Sequence, residues 1–486
     1  MKNTPHFRAG LIAPLAACLL WPLQAAAFDP QGTEGGIAPG TFPATQDVAS
    51  CDRAKISKPL LLADVVDLAL CNNPQTRVLW ANARAQAATV GVNTAAYLPT
   101  LSAQATASRS RDTLVTAASP SVSSRSESVG LSASYLLFDF GARSGNLENA
   151  KQLLIAANAT RDATLQTSFL TAVQSYYALL SARGSVLAFQ AAETSAREAL
   201  SAAQARYSAG VATPADKLQA QTALSQATLN LITAQGNERN AQGTLANAMG
   251  FDATQPFELT PLPETTPAPA VEQDIGKLIE EARHKRPDLA AADAQIKAAQ
   301  AQLDATRATG WPTLTLNASD ATTRTSGLPG NNSASIGVAL NVPLFTGFRN
   351  TYQNRVAEQQ LEGRVATRDL LANQVALDVW RAYQTLLTNS QALRSADDLV
   401  ASATLSEEMT LGRYKAGVSG LSIVDVLNAQ SALASARQQR VAALYNFLAS
   451  RMALAQAIGV LDLTQFDQGG ADQDRPGHGQ NEEQRK

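Results

Sequence analysis

Two apolar periods alternate along this chain, and the alternation is run through twice. From Leu60 to Leu70 the apolar residues Leu61, Val65 and Leu68 stand at helical spacing, and Asn73-Pro74 opens a second helical stretch reaching Tyr97. The period then drops from 3.6 to 2. Leu101, Ala103, Ala105 and Ala107 alternate with Thr100, Ser102, Gln104, Thr106 and Ser108. After a polar loop, Val129, Leu131, Ala133, Tyr135 and Leu137 alternate with Ser128, Gly130, Ser132 and Ser134. Each run predicts a strand with one apolar face and one small polar face. From Ala142 to Ala209 there is then no proline, the chain turns at Gly210, and it returns as a helix from Pro214 to Met249. An interior proline costs a helix about 3 kcal/mol, so its absence permits one unbroken helix. At roughly 1.5 Å per residue that helix would reach about 100 Å, too long to wrap an ordinary core.

The second half repeats the order. Arg286-Pro287 answers Asn73-Pro74, and Trp311-Pro312-Thr313-Leu314 answers Leu98-Pro99-Thr100-Leu101, both 213 residues on. Leu314, Leu316 and Ala318 alternate with Thr313, Thr315, Asn317 and Ser319; Ile336, Val338, Leu340 and Val342 alternate with Ser335, Gly337, Ala339 and Asn341. Arg349 to Ala416 is again free of proline, rich in Ala, Leu, Gln and Arg, and ends at Gly417. Arg413-Tyr414-Lys415-Ala416-Gly417-Val418 follows Arg206-Tyr207-Ser208-Ala209-Gly210-Val211 by 207 residues, and Ala429-Gln430 follows Ala220-Gln221 by 209. The chain is an internal duplication in which the second hairpin loop gained two residues. Residues 60–255 form the first repeat and 274–462 the second. A proline-rich linker, 256–273, joins them, and a polar tail, 463–486, is expected to be disordered.

Each half offers two strands near the roughly 9–11 residues that cross a bilayer. A bilayer tolerates no open sheet edge, and four strands cannot close a barrel with a usable interior. Two chains give eight strands, whose interior side chains fill; three give twelve, which leave a lumen. The small polar faces suit a wet interior and the apolar faces suit lipid. Tyr97, Phe138, Trp311 and Phe345 stand at the helix-proximal strand ends, where an aromatic girdle would meet the membrane interface. A soluble hairpin lying on a helical bundle is the plainer alternative.

Composition narrows the field. Aromatics make up only 5% of the 486 residues, which suits long Ala-rich helices, and a net charge of −2 leaves no electrostatic footprint for nucleic acid. His6, His284 and His478 are scattered, and no metal-binding, phosphate-loop or nucleophile motif occurs, so neither an enzyme nor a cofactor site is expected. Lys2 and Arg8 precede an apolar run from Leu11 to Leu23, followed by Ala25-Ala26-Ala27, the pattern of a signal peptide ending at residue 27. Leu15-Ala16-Ala17-Cys18 also fits a lipobox, which leaves lipidation of Cys18 as an alternative. Beyond Leu23 no run approaches the length of a membrane helix. Residues 28–59 read as an extended N-terminal segment, and Cys51 and Cys71 are expected to tie it down through a disulfide worth about 3 kcal/mol.

The duplicated order of helix, two strands and long helical hairpin resembles the TolC family of outer-membrane channel-tunnels over about residues 60–460. So do Tyr97-Leu98-Pro99-Thr100-Leu101, Pro343-Leu344-Phe345-Thr346-Gly347 and the Arg-Tyr-x-Ala-Gly turns. Cys51 with Ala69-Leu70-Cys71-Asn72-Asn73-Pro74 is similar to the cyclolysin-secretion subgroup. The resemblance implies a homotrimer: a twelve-stranded barrel in the outer membrane above a long periplasmic α-helical tunnel with a mixed belt around its middle. It implies a periplasmic adaptor docking at the hairpin tips, at Arg206, Tyr207, Gly210, Arg413, Tyr414 and Gly417. An inner-membrane ABC transporter would drive protein secretion; a proton-driven pump would instead make the chain part of a drug-efflux system. A long-helix structural protein of the cell surface accounts for the helices but not for the strands. Well-known members carry two aspartates at the second tip, where they narrow the closed mouth. Here Asp425 matches the first and Asn428 replaces the second. The plainer reading of Asp425 is a solvated helix-face carboxylate.

Overall fold

The computed structural model describes residues 29–39, 59–112, 122–260, 274–416 and 422–461. The expected signal peptide, Cys18, Cys51, Gly417 and the tail lie outside the described residues, as does most of the linker. Cys71 is disulfide-bonded.

Helices α1 (Leu62–Asn72) and α2 (Pro74–Ala95) are divided at Asn73. Its backbone is extended, ending α1, while its side-chain carbonyl accepts the Gln75 N–H at 2.9 Å and caps α2. Helix α2 stops two residues short of the expected Tyr97. The Tyr97 and Leu98 amides close a turn onto Thr94 and Ala95 carbonyls just before Pro99, which disfavours helix in the residue preceding it.

Strands β1 (Thr100–Asp112), β2 (Val122–Phe138), β3 (Thr313–Thr325) and β4 (Asn331–Asn341) form one antiparallel sheet in the order β1-β2-β3-β4. At 13, 17, 13 and 11 residues they outrun the alternating stretches. The pairing continues past the last apolar residues into Ser, Thr and Arg positions, where backbone bonds carry it together with polar side-chain pairs. The two faces are those the alternation predicts. One carries hydroxyl ladders, Ser102 to Ser132 at 2.7 Å, Ser110 to Ser124 at 2.7 Å and Ser319 to Ser335 at 2.9 Å. The other exposes Leu101, Val129, Leu131, Ile336, Val338 and Leu340. Within one chain the outer edges of β1 and β4 have no strand beside them among the described residues.

Helices α3 (Ala142–Ser208) and α4 (Pro214–Ala248) make the first long hairpin, and α7 (Arg349–Lys415) and α8 (Ile423–Ile458) the second. Two left-handed residues redirect the chain from sheet to helix each time: Phe140 and Gly141 before α3, Gly347 and Phe348 before α7. Helices α5 (Ile275–Lys285) and α6 (Pro287–Ala308) repeat α1 and α2. Helix α3 packs along α4, α6 and α8, whereas α7 packs mainly on α5, α6 and α8. Close approach of α3 to α6 depends on Gly145, where a Cβ would lie 2.8 Å from the Ala305 amide nitrogen.

Midway along the hairpins sit two related cores. Val65, Ala69, Ala172 and Tyr176 are buried in the first, and their counterparts Leu278, Ala282, Val379 and Tyr383 in the second. The first is larger, because the chain leaving α4 returns through Phe257 and Leu259, and Leu259 bridges to Leu60. Helix α8 has enough length and apolar composition to cross a membrane. Its Phe447, Ala436 and Met452 are instead buried in the body of the protein.

Candidate functional site

The hairpin tips lie together at one end of the long helices. At the first tip the Gly210 amide donates to the Tyr207 carbonyl and the Val211 amide to the Arg206 carbonyl, both at 3.0 Å. Gly210 has φ +72°, the left-handed conformation that this paired C-cap requires. Arg206 lies in the last turn of α3 and Arg413 in the last turn of α7, each near the negative end of its helix. The tips touch. The Arg206 guanidinium stacks on the Tyr414 ring, 4.8 Å from its centroid, and donates to the Tyr414 carbonyl at 3.5 Å. Tyr414 is buried among Ala199, Leu200, Ala203, Ala220, Ile423 and Val426. Tyr207 and Arg413, which occupy the equivalent positions, remain exposed.

Asp425 has a structural partner that neither reading of its charge foresaw. Its Oδ2 accepts the Ser422 amide at 2.8 Å and the Ser422 hydroxyl at 3.0 Å, closing a capping box on α8. Asp216 does the same for Thr213 at the start of α4, at 2.8 and 2.9 Å. The signal was legible: Thr213-Pro-Ala-Asp216 and Ser422-Ile-Val-Asp425 share the spacing of a hydroxyl N-cap with a carboxylate three residues on. The Ser422 amide and then its hydroxyl hold the Asp425 carboxyl below its ordinary value of 3.8. A depressed carboxyl contributes its stabilisation fully above that ordinary value and loses it as pH falls through the lowered one. The cap should therefore persist at neutral and mildly acidic pH and fail only in strong acid. Asn428 is exposed one turn further along the same helix.

At the other end of the helices the four predicted aromatics hold different partners. Tyr97 carries the Arg143 guanidinium 4.9 Å above its ring, and Arg143 in turn pairs with Asp139 at 3.0 Å. Phe138 meets Phe140 edge-on at 4.8 Å, Phe140 stacks on Trp311 at 5.5 Å, and Phe345 meets Phe348 edge-on at 5.6 Å. Phe140 and Phe348 thus join the aromatic residues at the helix-proximal strand ends. Their pairing with glycine in Phe140-Gly141 and Gly347-Phe348 marks the strand-to-helix turn that places them there.

A groove of about 640 Å³ between α3, α4 and α8 is lined by uncharged groups, among them Ser181, Asn230, Asn237, Tyr177 and Tyr445. Burial pushes the Tyr177 phenol up to about 12, so it stays protonated and serves packing against Tyr445. Among the described residues no three His, Cys, Asp or Glu side chains gather as a metal site.

Known proteins share this arrangement of sheet and hairpins. The family described as outer membrane efflux protein matches residues 65–251 and again 278–460. Protein CyaE of Bordetella pertussis is 31% identical over 84% of this chain and 86% of its own length. The outer membrane efflux protein BepC of Brucella suis is 25% identical over 81% of this chain and 84% of its own. Among solved structures, the CmeC outer membrane channel of Campylobacter jejuni aligns with a TM-score of 0.73 at 18% identity, covering 84% of this chain and 88% of that one.

Proposed function

Because this chain belongs to the outer membrane efflux protein family, we propose that three copies of it form the outer-membrane channel of a tripartite export system that secretes a polypeptide. The observation that carries this reading is the pair of open edges on β1 and β4, flanking a sheet that is apolar on one face and hydroxyl-lined on the other. Unpaired backbone groups in hydrocarbon cost several kcal/mol each, so the edges must pair, and three copies joined β4 to β1 close twelve strands around a wet lumen. The helices make the same demand: α7 lacks the packing that α3 finds between its own hairpin and α8. The belt of Tyr97, Phe138, Trp311 and Phe345, with Phe140 and Phe348, then meets the periplasmic lipid interface. The hairpin tips form the mouth, where Arg206, Tyr207, Gly210, Arg413, Tyr414 and Gly417 receive the adaptor.

Polypeptide secretion through an ABC transporter is supported by the Ala69-Leu70-Cys71-Asn72-Asn73-Pro74 motif and by the higher identity to CyaE than to the efflux protein BepC. Two measurements test the proposal. Light scattering of the detergent-solubilised mature protein should give three chains per particle, and planar bilayers should show discrete conductance; a non-conducting monomer removes the channel. Deleting the gene should abolish export of one secreted polypeptide and leave sensitivity to solvents and dyes unchanged. The reverse pattern assigns the channel to a small-molecule pump.

Three-fold symmetry gathers three Asp425 carboxylates at the narrow end, followed by Asn428 where a second acidic ring would stand. Close like charges attract cations and broaden one another's titration. Asp425→Ala should raise conductance modestly and remove most block by periplasmic divalent or trivalent cations, with a much smaller effect of changes at Asp216 or Lys217. Since Asp425→Ala also removes the α8 cap, Asp425→Asn is the control: its side-chain oxygen can still accept from Ser422 while the charge is gone. If Asp425→Asn keeps the block that Asp425→Ala loses, helix fraying explains the loss and the ring does not.

A further inference from the structure

The apolar face of the sheet turns basic at the end far from the helices. Counting in twos along β1 from Leu101 passes three alanines, then reaches Arg109 and Arg111. The same count along β3 from Leu314 passes Leu316 and Ala318 and ends at Arg324. Along β2 it runs back from Val129 through Glu127 to Arg125. Side chains alternate at period 2, so all four arginines share the face that the three-copy barrel, on which the inference rests, turns to lipid. The hydroxyl-lined face carries no basic residue on any of the four strands. We propose that Arg109, Arg125 and Arg324, with Arg111 beyond them, form a site on the outside of the barrel for the phosphate groups of lipids in the outward-facing leaflet.

Cross-strand register gathers the cations. Arg109 lies directly opposite Arg125, and Arg324 directly opposite Glu127. Opposed side chains in an antiparallel pair have Cβ atoms about 4.5–5.5 Å apart, and like charges placed so repel. Glu127 accepts from Arg125 at 2.7 Å. Arg109 and Arg324 are exposed and hold no acidic partner among the described residues. The other acid on this face, Asp320, lies four residues back from Arg324 toward the apolar band, and the same count puts Asp112 on the opposite face. Residues 113–121 and 326–330, which join the strands at this end, contain no acid. The cluster is short of anions.

Its height suits a headgroup. Arg111 and Arg324 stand ten residues beyond Leu101 and Leu314. At about 3.4 Å per residue and a tilt of about 35–45°, ten residues climb about 25 Å, the height of a barrel's apolar band. The aromatic residues at the helix-proximal strand ends mark the near border of that band, and the arginines mark its far border. An arginine is costly at mid-bilayer and tolerated at the border. Guanidinium groups hold phosphate oxygens in paired, charge-assisted hydrogen bonds, and an anion between Arg109 and Arg125 turns their mutual repulsion into shared attraction. The occupant is a lipid because the site adjoins Ala105, Ala107 and Val129, an exposed apolar surface for acyl chains beneath a headgroup.

The test follows lipid retention on the detergent-solubilised trimer by native mass spectrometry. The probes are bisphosphorylated lipid A, the same lipid without phosphate, and inorganic phosphate. Wild type should retain the phosphorylated lipid about tenfold better than the dephosphorylated one. Arg109→Gln/Arg324→Gln should remove most of that preference, and Arg109→Lys/Arg324→Lys should keep more of it, since an ammonium still offers a point charge. Arg437→Gln, on α8 and away from the sheet, should change nothing. A conducting trimer that retains both lipids equally, or whose double glutamine variant behaves as wild type, overturns the site and leaves the channel standing. Inorganic phosphate bound without any preference for the phosphorylated lipid overturns the lipid as occupant. A particle that proves monomeric and non-conducting removes both site and channel.

Discussion

Gly250→Ala is expected to destabilise the protein by about 3 kcal/mol, which is more than other single-methyl additions at the helix turns should cost. Gly250 ends α4 with φ +80°, its amide donating to Asn247 and the Phe251 amide to Ala246, both at 2.9 Å. A side chain there meets two penalties. The left-handed conformation costs an ordinary residue about 1–2 kcal/mol, and overpacking typically adds about 1–3. The overpacking is severe because the added Cβ would lie 2.6 Å from the Asn72 carbonyl carbon and 2.9 Å from the Asn73 nitrogen. Those are backbone atoms at the α1–α2 junction, and they cannot swing aside. Two sister glycines separate the causes. Gly459 has φ +84° with its nearest backbone neighbours at 3.1 Å, and Gly210 has φ +72° with nothing within 4 Å. Loss of the compact form on heating, followed by gel mobility and circular dichroism, should rank the alanine variants 250 above 459 above 210. If Gly210→Ala matches Gly250→Ala, the close approach is not what Gly250 provides.

The other large effect is expected at Arg161. Its side chain is fully buried, stacks 4.5 Å from the centre of the Trp80 ring, and donates to the Ala38 carbonyl at 2.7 Å and the Pro39 carbonyl at 3.2 Å. Asp162 accepts from the same guanidinium at 2.8 Å and balances its charge. Arg161→Met keeps the bulk but orphans two carbonyls and a carboxylate, a loss of about 3 kcal/mol. It should also release residues 29–39 from the α2–α3 surface, read out as early cleavage of that segment by a non-specific protease. Arg161→Lys should not rescue it, because an ammonium cannot reach two carbonyls, a carboxylate and a ring face together. The duplication supplies the control. Arg368 stands where Arg161 stands, 207 residues on, and pairs with Asp293 at 3.1 Å, the position that maps to Trp80. Its side chain is 36% exposed, so Arg368→Met should cost under about 1 kcal/mol. Equal losses at the two positions would show that the arm contacts contribute nothing.

Much of this architecture was legible in the order of residues, because periodicity and proline content act locally. The period-2 runs from Thr100 and Ser128, and their copies from Thr313 and Ser335, marked all four strands and both their faces. Proline-free stretches ending at Arg-Tyr-x-Ala-Gly marked both long helices to within a residue. The duplication was open to view as well, since a fixed offset survives whatever the chain does in space. Strand ends were not, for backbone pairing continues where side-chain alternation has stopped, as at Ser108–Asp112.

The Asp425 cap was legible too, as a local Ser422-x-x-Asp425 spacing, although its charge drew the eye first. Two matters depended on contacts between distant residues, and only the tertiary structure decided them. Arg161 and Arg368 are the same residue in two copies of one pattern. One is sealed by a segment more than a hundred residues away and the other faces water, because burial is set by whatever happens to cover a helix face. Equivalent residues also acquire different neighbours: Tyr414 is buried beneath Arg206, while Tyr207 stands exposed. A duplicated sequence specifies two similar halves, but in one chain only one of their two mutual faces can be satisfied. The face left open is a property of the folded molecule alone.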